Sequence, residues 1–179
     1  LDGSIEPDCV SDDTSEKSSW RDQFTVYRFG KDSHARGKIY SGFPDTISFM
    51  TSKDVELVAI LLYGSCESAG TYEIHLEICQ DLSGNLSLIY SSDHELGTNG
   101  FKTTYELPLT QTVPIEKDRV YTLRALIHGP TSYFGTNGKA EVRRNGVQVL
   151  FLTNEDDFGM NLTTTEGGQF PGLVFEKPA

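Results

Sequence analysis

Cysteine is scarce in this chain: there are three, Cys9, Cys66 and Cys79. An odd, sparse set without metal-ligand spacing excludes a disulfide framework and a cysteine zinc centre, and suits a reducing, intracellular compartment. Basic residues are also short, 15 against 26 acidic ones, for a net charge of -11. That balance repels phosphate backbones and anionic membranes, so nucleic acid is not an expected partner. No apolar run approaches a membrane-spanning length, so no membrane insertion is expected. The opening LDGSIEPD lacks the basic and apolar regions of a signal peptide. Asn85-Leu-Ser and Asn161-Leu-Thr match the glycosylation acceptor pattern, which arises often by chance, and read as unmodified loop asparagines.

Catalytic patterns are missing as well. GxSxG is absent, and Asp93-His94, read as a loop pair near several serines, has no nucleophile elbow beside it. Gly138-Lys139 lacks the upstream glycine and following hydroxyl of a phosphate loop, since Tyr133 and Ala140 stand there, and a strand replaces the helix that would hold the phosphate. NEDDFG, from Asn154 to Gly159, is contiguous acid interrupted by Phe158, whereas calcium loops alternate their oxygen ligands. Glu73, His75 and Glu77 share a strand face without a spaced Cys or His partner, which fits a solvated face better than a metal site. Paired carboxylates for glycoside cleavage leave no mark in a linear sequence, and nothing here points to them. No cofactor, metal or small-molecule substrate is expected, and the domain is read as non-catalytic.

What the chain does contain is a period of two. In TYEIHLEIC (71–79), Tyr72, Ile74, Leu76 and Ile78 fall on one face of a strand and the charged residues on the other. VELVAILLY (55–63) is apolar on both faces and reads as a central strand covered on each side. Further short runs at 24–29, 46–50, 86–91, 101–107, 119–128, 147–152 and 173–176 are separated by Gly, Pro, Asn and Asp. The natural architecture is an all-β antiparallel sandwich. In KAEVRRNGVQVLFL (139–152) a two-residue Asn145-Gly146 turn pairs Arg144 with Val147 and Val142 with Val149, turning Ala140, Val142, Val149 and Phe151 inward. Residues 1–19, acidic and almost without apolar side chains, are expected to form a flexible leader. The packed domain, residues 20–179, is expected to begin near Trp20 and Phe24.

The tetrapeptide GTNG occurs twice, at Gly97–Gly100 and Gly135–Gly138, in flanks that share no alignment, so it is loop chemistry rather than a repeat. The second copy closes a long loop, GPTSYFGTNG (129–138). Here the chain resembles the PHR domain of the Pam/Highwire family of giant neuronal ubiquitin ligases, a module also found in some BTB-domain proteins. Three stretches carry the resemblance over about residues 20 to 176: VAILLYGSCESAGTYEIHLEI (58–78), YTLRALIHGPTSYFGTNG (121–138) and NLTTTEGGQFPGLVFE (161–176). The lead-in FTVYRFGKDSHARGKIYSG (24–42) is closer to the ligase branch.

The resemblance implies an antiparallel β-sandwich of about eleven strands that binds protein partners or regulates its parent ligase, in the cytoplasm of neurons, at axon and synapse. The transfer cysteines of such ligases lie in another region of the parent. Partner-binding candidates are Gly129, Pro130, Ser132, Tyr133, Phe134, Gly135 and Gly138 in one loop, and Glu166, Gly167, Gly168, Gln169 and Pro171 in the other. For the glycines, backbone geometry alone is the competing explanation. Tyr133 and Phe134 are adjacent on extended backbone, so one is expected to plug the sandwich end and the other, Tyr133, to face a partner. Two other readings compete: a carbohydrate-binding sandwich, disfavoured by the free thiols and single Trp, and a rigid spacer.

Overall fold

The computed structural model describes residues 22–154 and 162–178. Trp20, Cys9, the expected leader and all of the NEDDFG loop except Asn154 lie outside them. Within the described residues the strands are β1 (Gln23–Tyr27), β2 (His34–Lys38), β3 (Asp45–Thr51), β4 (Val55–Tyr63), β5 (Gly70–Leu82), β6 (Asn85–Thr98), β7 (Thr104–Ile115), β8 (Tyr121–His128), β9 (Ser132–Gly135), β10 (Glu141–Arg144), β11 (Val147–Thr153) and β12 (Gly172–Glu176). They form a four-stranded sheet in the order β1-β12-β4-β7, a six-stranded sheet in the order β10-β11-β3-β8-β5-β6, and a small β2-β9 ribbon. The pairings are antiparallel.

The two large sheets close on one core. Val26, Leu57, Ile60, Leu62, Leu173 and Phe175 from the four-stranded sheet meet Ile47, Phe49, Leu76, Ile78, Leu123 and Phe151 from the six-stranded one. The Phe49 and Phe175 rings stand 6.0 Å apart across the seam. Strand β5 buries Tyr72, Ile74, Leu76 and Ile78, as its alternation requires. In strand β4 a bulge changes the parity of the residues that face the core. Its register slips between Leu57 and Ala59 against β7, so Val55 and Leu57 face the core before the slip and Ile60 and Leu62 after it. Ala59 and Leu61 pack on the other face with Val174.

The hairpin register is the expected one. Arg144 pairs with Val147 and Val142 with Val149, and Asn145 and Gly146 take φ of 51° and 74°, the values a primed turn demands. Ala140, expected inward, is exposed, and Val142 is only half-buried. The reason is position: β10 is the edge strand of its sheet. The first GTNG also differs from a simple loop. Gly97 and Thr98 belong to β6, and Asn99 makes the turn, its Oδ1 accepting from the Phe101 and Lys102 amides at 2.9 Å each and from the Tyr105 hydroxyl at 2.8 Å. Asp93 and His94 are likewise strand residues of β6, paired with His75 and Ile74. No helix of the described residues is long and apolar enough to cross a membrane.

Candidate functional site

The two family-like loops meet at one end of the sandwich. Strand β9 pairs with β2 on one side. On its other side the Gly135 amide donates to the Gly168 carbonyl at 2.8 Å and the Gly168 amide returns a bond at 3.1 Å, while the Gly138 amide donates to the Glu166 carbonyl at 2.9 Å. Residues far apart in sequence are thus stitched through backbone. Gly135 is required by close approach: a Cβ there would lie 2.2 Å from the Phe29 ring. Any larger residue would push Phe29 out of its cluster with Tyr63, Cys66 and Tyr133.

Beneath the loops lies a buried polar scaffold. Arg28, with 0% of its surface exposed, donates from Nε to the Phe170 carbonyl at 2.8 Å, from Nη1 to that of Thr164 at 2.9 Å, and from Nη2 to that of Gln169 at 2.6 Å. Its guanidinium lies 4.4 Å from the Phe29 ring centroid and 5.6 Å from that of Phe151. Burial lowers its pKa from 12.5 to about 10, so it remains the charged, planar fork this task needs. The Gln169 side chain ties the closing segment to the rest: its Oε1 accepts from the Tyr63 amide at 2.8 Å and the Phe170 amide at 3.0 Å, and its Nε2 donates to the Tyr40 hydroxyl at 2.7 Å. Tyr40 Oη lies 2.7 Å from Ser132 Oγ. Burial drives the Tyr40 phenol well above its ordinary pKa, so it stays a neutral hydrogen-bonding link.

A buried ion pair fixes the third segment. Register slips between Arg36 and Lys38 in β2, where Gly37 takes φ +114°, and the bulge turns Lys38 inward. Lys38 Nζ lies 2.7 Å from Asp45 Oδ1, the side chains 6% and 4% exposed. Thr163 Oγ1 donates to the same oxygen at 2.5 Å and accepts from the Gln169 amide at 3.0 Å.

Together these supports shape an open groove of about 990 Å³. Gly37–Ser41 supply one wall, Phe134 to Gly138 the floor, and Leu162, Thr164 and Glu166–Gly168 the other wall. Six of the sequence-predicted residues therefore line a single concavity: Phe134, Gly135, Gly138, Glu166, Gly167 and Gly168. Ser132, Gln169 and Pro171 are buried instead, Ser132 and Gln169 through their side chains and Pro171 through its carbonyl, which accepts from the Arg28 amide at 2.9 Å. Gly129 and Pro130 lie apart from the groove, packed against Tyr72 and Gly70.

Tyr133 corrects an expectation. It is 8% exposed, edge-on to His34 at 5.5 Å and beneath the Arg36 guanidinium at 5.6 Å, so it is the plug and the half-buried Phe134 lines the groove. One ring does point each way, but the assignment is reversed because β2, a polar HARGK strand with no apolar alternation, covers the Tyr133 side. Sequence reasoning also missed the groove residues Ile39 and Leu162, 67% and 64% exposed. An exposed aliphatic in a loop carries no signal until the fold brings two of them to one rim.

Glu73 and His75 line a shallow second depression with Asp93, His94, Glu95 and His128, and Glu77 stands outside it. Among the described residues, no three His, Cys, Asp or Glu side chains are arranged to hold a metal ion. His75 lies 2.7 Å from Asp93 Oδ1 and 3.1 Å from Glu77 Oε1, and these hydrogen bonds raise its pKa above 6.5. His94, its Nε2 3.1 Å from the Tyr90 hydroxyl, is pushed below 6.5 by burial. The signs for stability are opposite. His75 contributes below its unfolded pKa and loses that contribution as pH rises through the raised folded value; His94 contributes above its unfolded pKa and loses it as pH falls through the lowered one. An NMR titration of the imidazoles is expected to separate the two, with Asp93→Asn moving His75 back toward 6.5. Coincident titration curves would contradict the geometry.

The chain is 33% identical over 140 residues to zebrafish (Danio rerio) BTB/POZ domain-containing protein 6-B, covering 76% of this chain and 27% of that protein. It is 34% identical over 140 residues to human BTB/POZ domain-containing protein 3, covering 76% of this chain and 25% of that protein. The chain thus spans about a quarter of the length of the curated relatives it matches. The family model described as the PHR domain matches residues 27–176, from the end of β1 to the end of β12 and across both groove loops, and the chain belongs to the PHR-domain family.

Proposed function

We propose that this PHR domain is a non-catalytic protein-interaction and regulatory module of an intracellular ubiquitin ligase, and that it engages partners through the groove at the sandwich end. The observation that carries the reading is the convergence of six motif residues from two distant loops on one concavity, over a rigid buried scaffold. A site on a pre-formed scaffold loses little ordering entropy on binding. The placement in a ligase is supported by the lead-in resemblance, and that lead-in supplies β2 and the groove wall Gly37–Ser41. BTB-containing relatives carry the same family of domain, which supports a portable interaction module whose partners differ with the parent.

The test is a quantitative pull-down from neuronal lysate with wild type, Phe134→Ala and Ile39→Asp. Both variants are expected to fold and to recover markedly less of the partners that wild type retains. Tyr133→Ala serves as the contrast: it removes the plug, costs about 3 to 5 kcal/mol, and loses recovery by unfolding. Undiminished recovery by folded Phe134→Ala and Ile39→Asp would refute the groove assignment.

A further inference from the structure

The groove's charge and surface narrow the kind of protein segment that fits it, provided that partners dock there as proposed. Of the residues lining it, two bear charge, Lys38 and Glu166. Lys38 is spent: its ammonium is held at 2.7 Å by Asp45 with almost no exposure. Glu166 is exposed, and no ion pair or side-chain hydrogen bond engages its carboxylate among the described residues. The rim therefore presents one uncompensated negative charge on a chain of net charge -11. The remaining lining is of two kinds. Ile39, Leu162 and Phe134 are apolar, and the floor from Gly135 to Gly138 is closed backbone, its Gly135, Thr136 and Gly138 amides already bonded to Gly168, Ser33 and Glu166.

From this we infer that the occupant is a cationic segment of a partner protein, with an apolar side chain seated between Ile39 and Leu162 and a Lys or Arg directed to Glu166. With the floor backbone already paired, the groove recognises side chains: an aliphatic residue on each wall suits one apolar side chain seated between them. A surface of this sign selects against acidic and phosphorylated segments, because like-charge juxtaposition at a rim is penalised in both affinity and on-rate. Arg is the better cation for a carboxylate, since its fork can hold both oxygens. The volume accommodates a few side chains and not a folded domain.

The experiment uses an immobilised peptide library with three arms: peptides bearing one Lys or Arg near a Leu, Ile or Phe, the same frames with Asp or Glu, and the same frames with phosphoserine. The full chain is the analyte, as wild type, Glu166→Lys, Glu166→Gln and Leu162→Asp. Wild type is expected to retain the cationic arm preferentially, by about threefold, the scale of a single exposed charge contact. Glu166→Gln is expected to erase that preference and Glu166→Lys to turn it toward the acidic arm. Leu162→Asp is expected to lose the aliphatic requirement. Retention of the acidic or phosphoserine arm by wild type, a preference indifferent to Glu166, or no retention of any arm would each overturn the inference. If these fail while the pull-down remains sensitive to Phe134→Ala and Ile39→Asp, the cationic occupant is wrong and the module reading stands.

Discussion

Arg28→Met lowers the unfolding free energy by about 3 to 5 kcal/mol, because three carbonyls in the Thr164–Phe170 segment lose their donor at once. Methionine keeps much of the side-chain volume, so the loss reports the hydrogen bonds rather than a cavity. Arg28→Lys is expected to recover little. A lysine ammonium cannot present the planar fork that reaches Phe170, Thr164 and Gln169 together, nor stack as a plane on Phe29. For a domain of ordinary stability, about 5 to 15 kcal/mol, such a loss leaves the fold marginal. Urea unfolding measures it, and amide exchange locates it: Gly135 and Gly168, bonded to each other across the groove floor, are expected to lose protection first. A change under about 1 kcal/mol would mean that the segment is held by something other than the guanidinium.

The second large effect is at the Lys38–Asp45 pair. Lys38→Met leaves the Asp45 carboxylate buried without its cation, at a cost of about 3 to 5 kcal/mol, and Asp45→Asn strands the ammonium at a similar cost. The double variant Lys38→Met with Asp45→Asn removes both charges and keeps an acceptor for Thr163. It is expected to cost less than either single change, a strong positive coupling in a double-mutant cycle. Additive losses would show that the two charges are not balancing each other. The pair also shapes the site, since a Lys38 that left Asp45 would add a positive charge to the groove beside Glu166.

These residues explain what a linear reading sees and what escapes it. Strand alternation is local, so the inward face of β5 and the register of the Asn145-Gly146 hairpin are legible, and β4 is legible as a central strand. The bulge that turns β4's parity is not, because nothing in VELVAILLY marks which residue is left unpaired. β2 has no apolar pattern at all; its place is set by pairing with β9 and by the inward turn of Lys38 after Gly37. Missing β2 is what inverted the orientation of Tyr133 and Phe134.

The site divides in the same way. The glycines and Phe134 stand in recognisable loops, so they are nameable in advance. Arg28 acts on carbonyls 136 to 142 residues away, and a carbonyl has no sequence signature. Gln169, expected as a contact residue, is a strut between Tyr40, Tyr63 and Phe170. Resemblance names both kinds of residue without separating them; only the geometry distinguishes those that line the groove from those that hold it open.

Docking of partners in the groove between Gly37–Ser41 and Leu162–Gly168 is the central claim. Hydrogen exchange of the chain, free and saturated with the best-retained library peptide, tests it most directly. Added protection is expected over 37–41, 134–138 and 162–168, with β6 and the His75 face unchanged. Protection appearing along β6 or the His75 face while the groove segments exchange as before would contradict it.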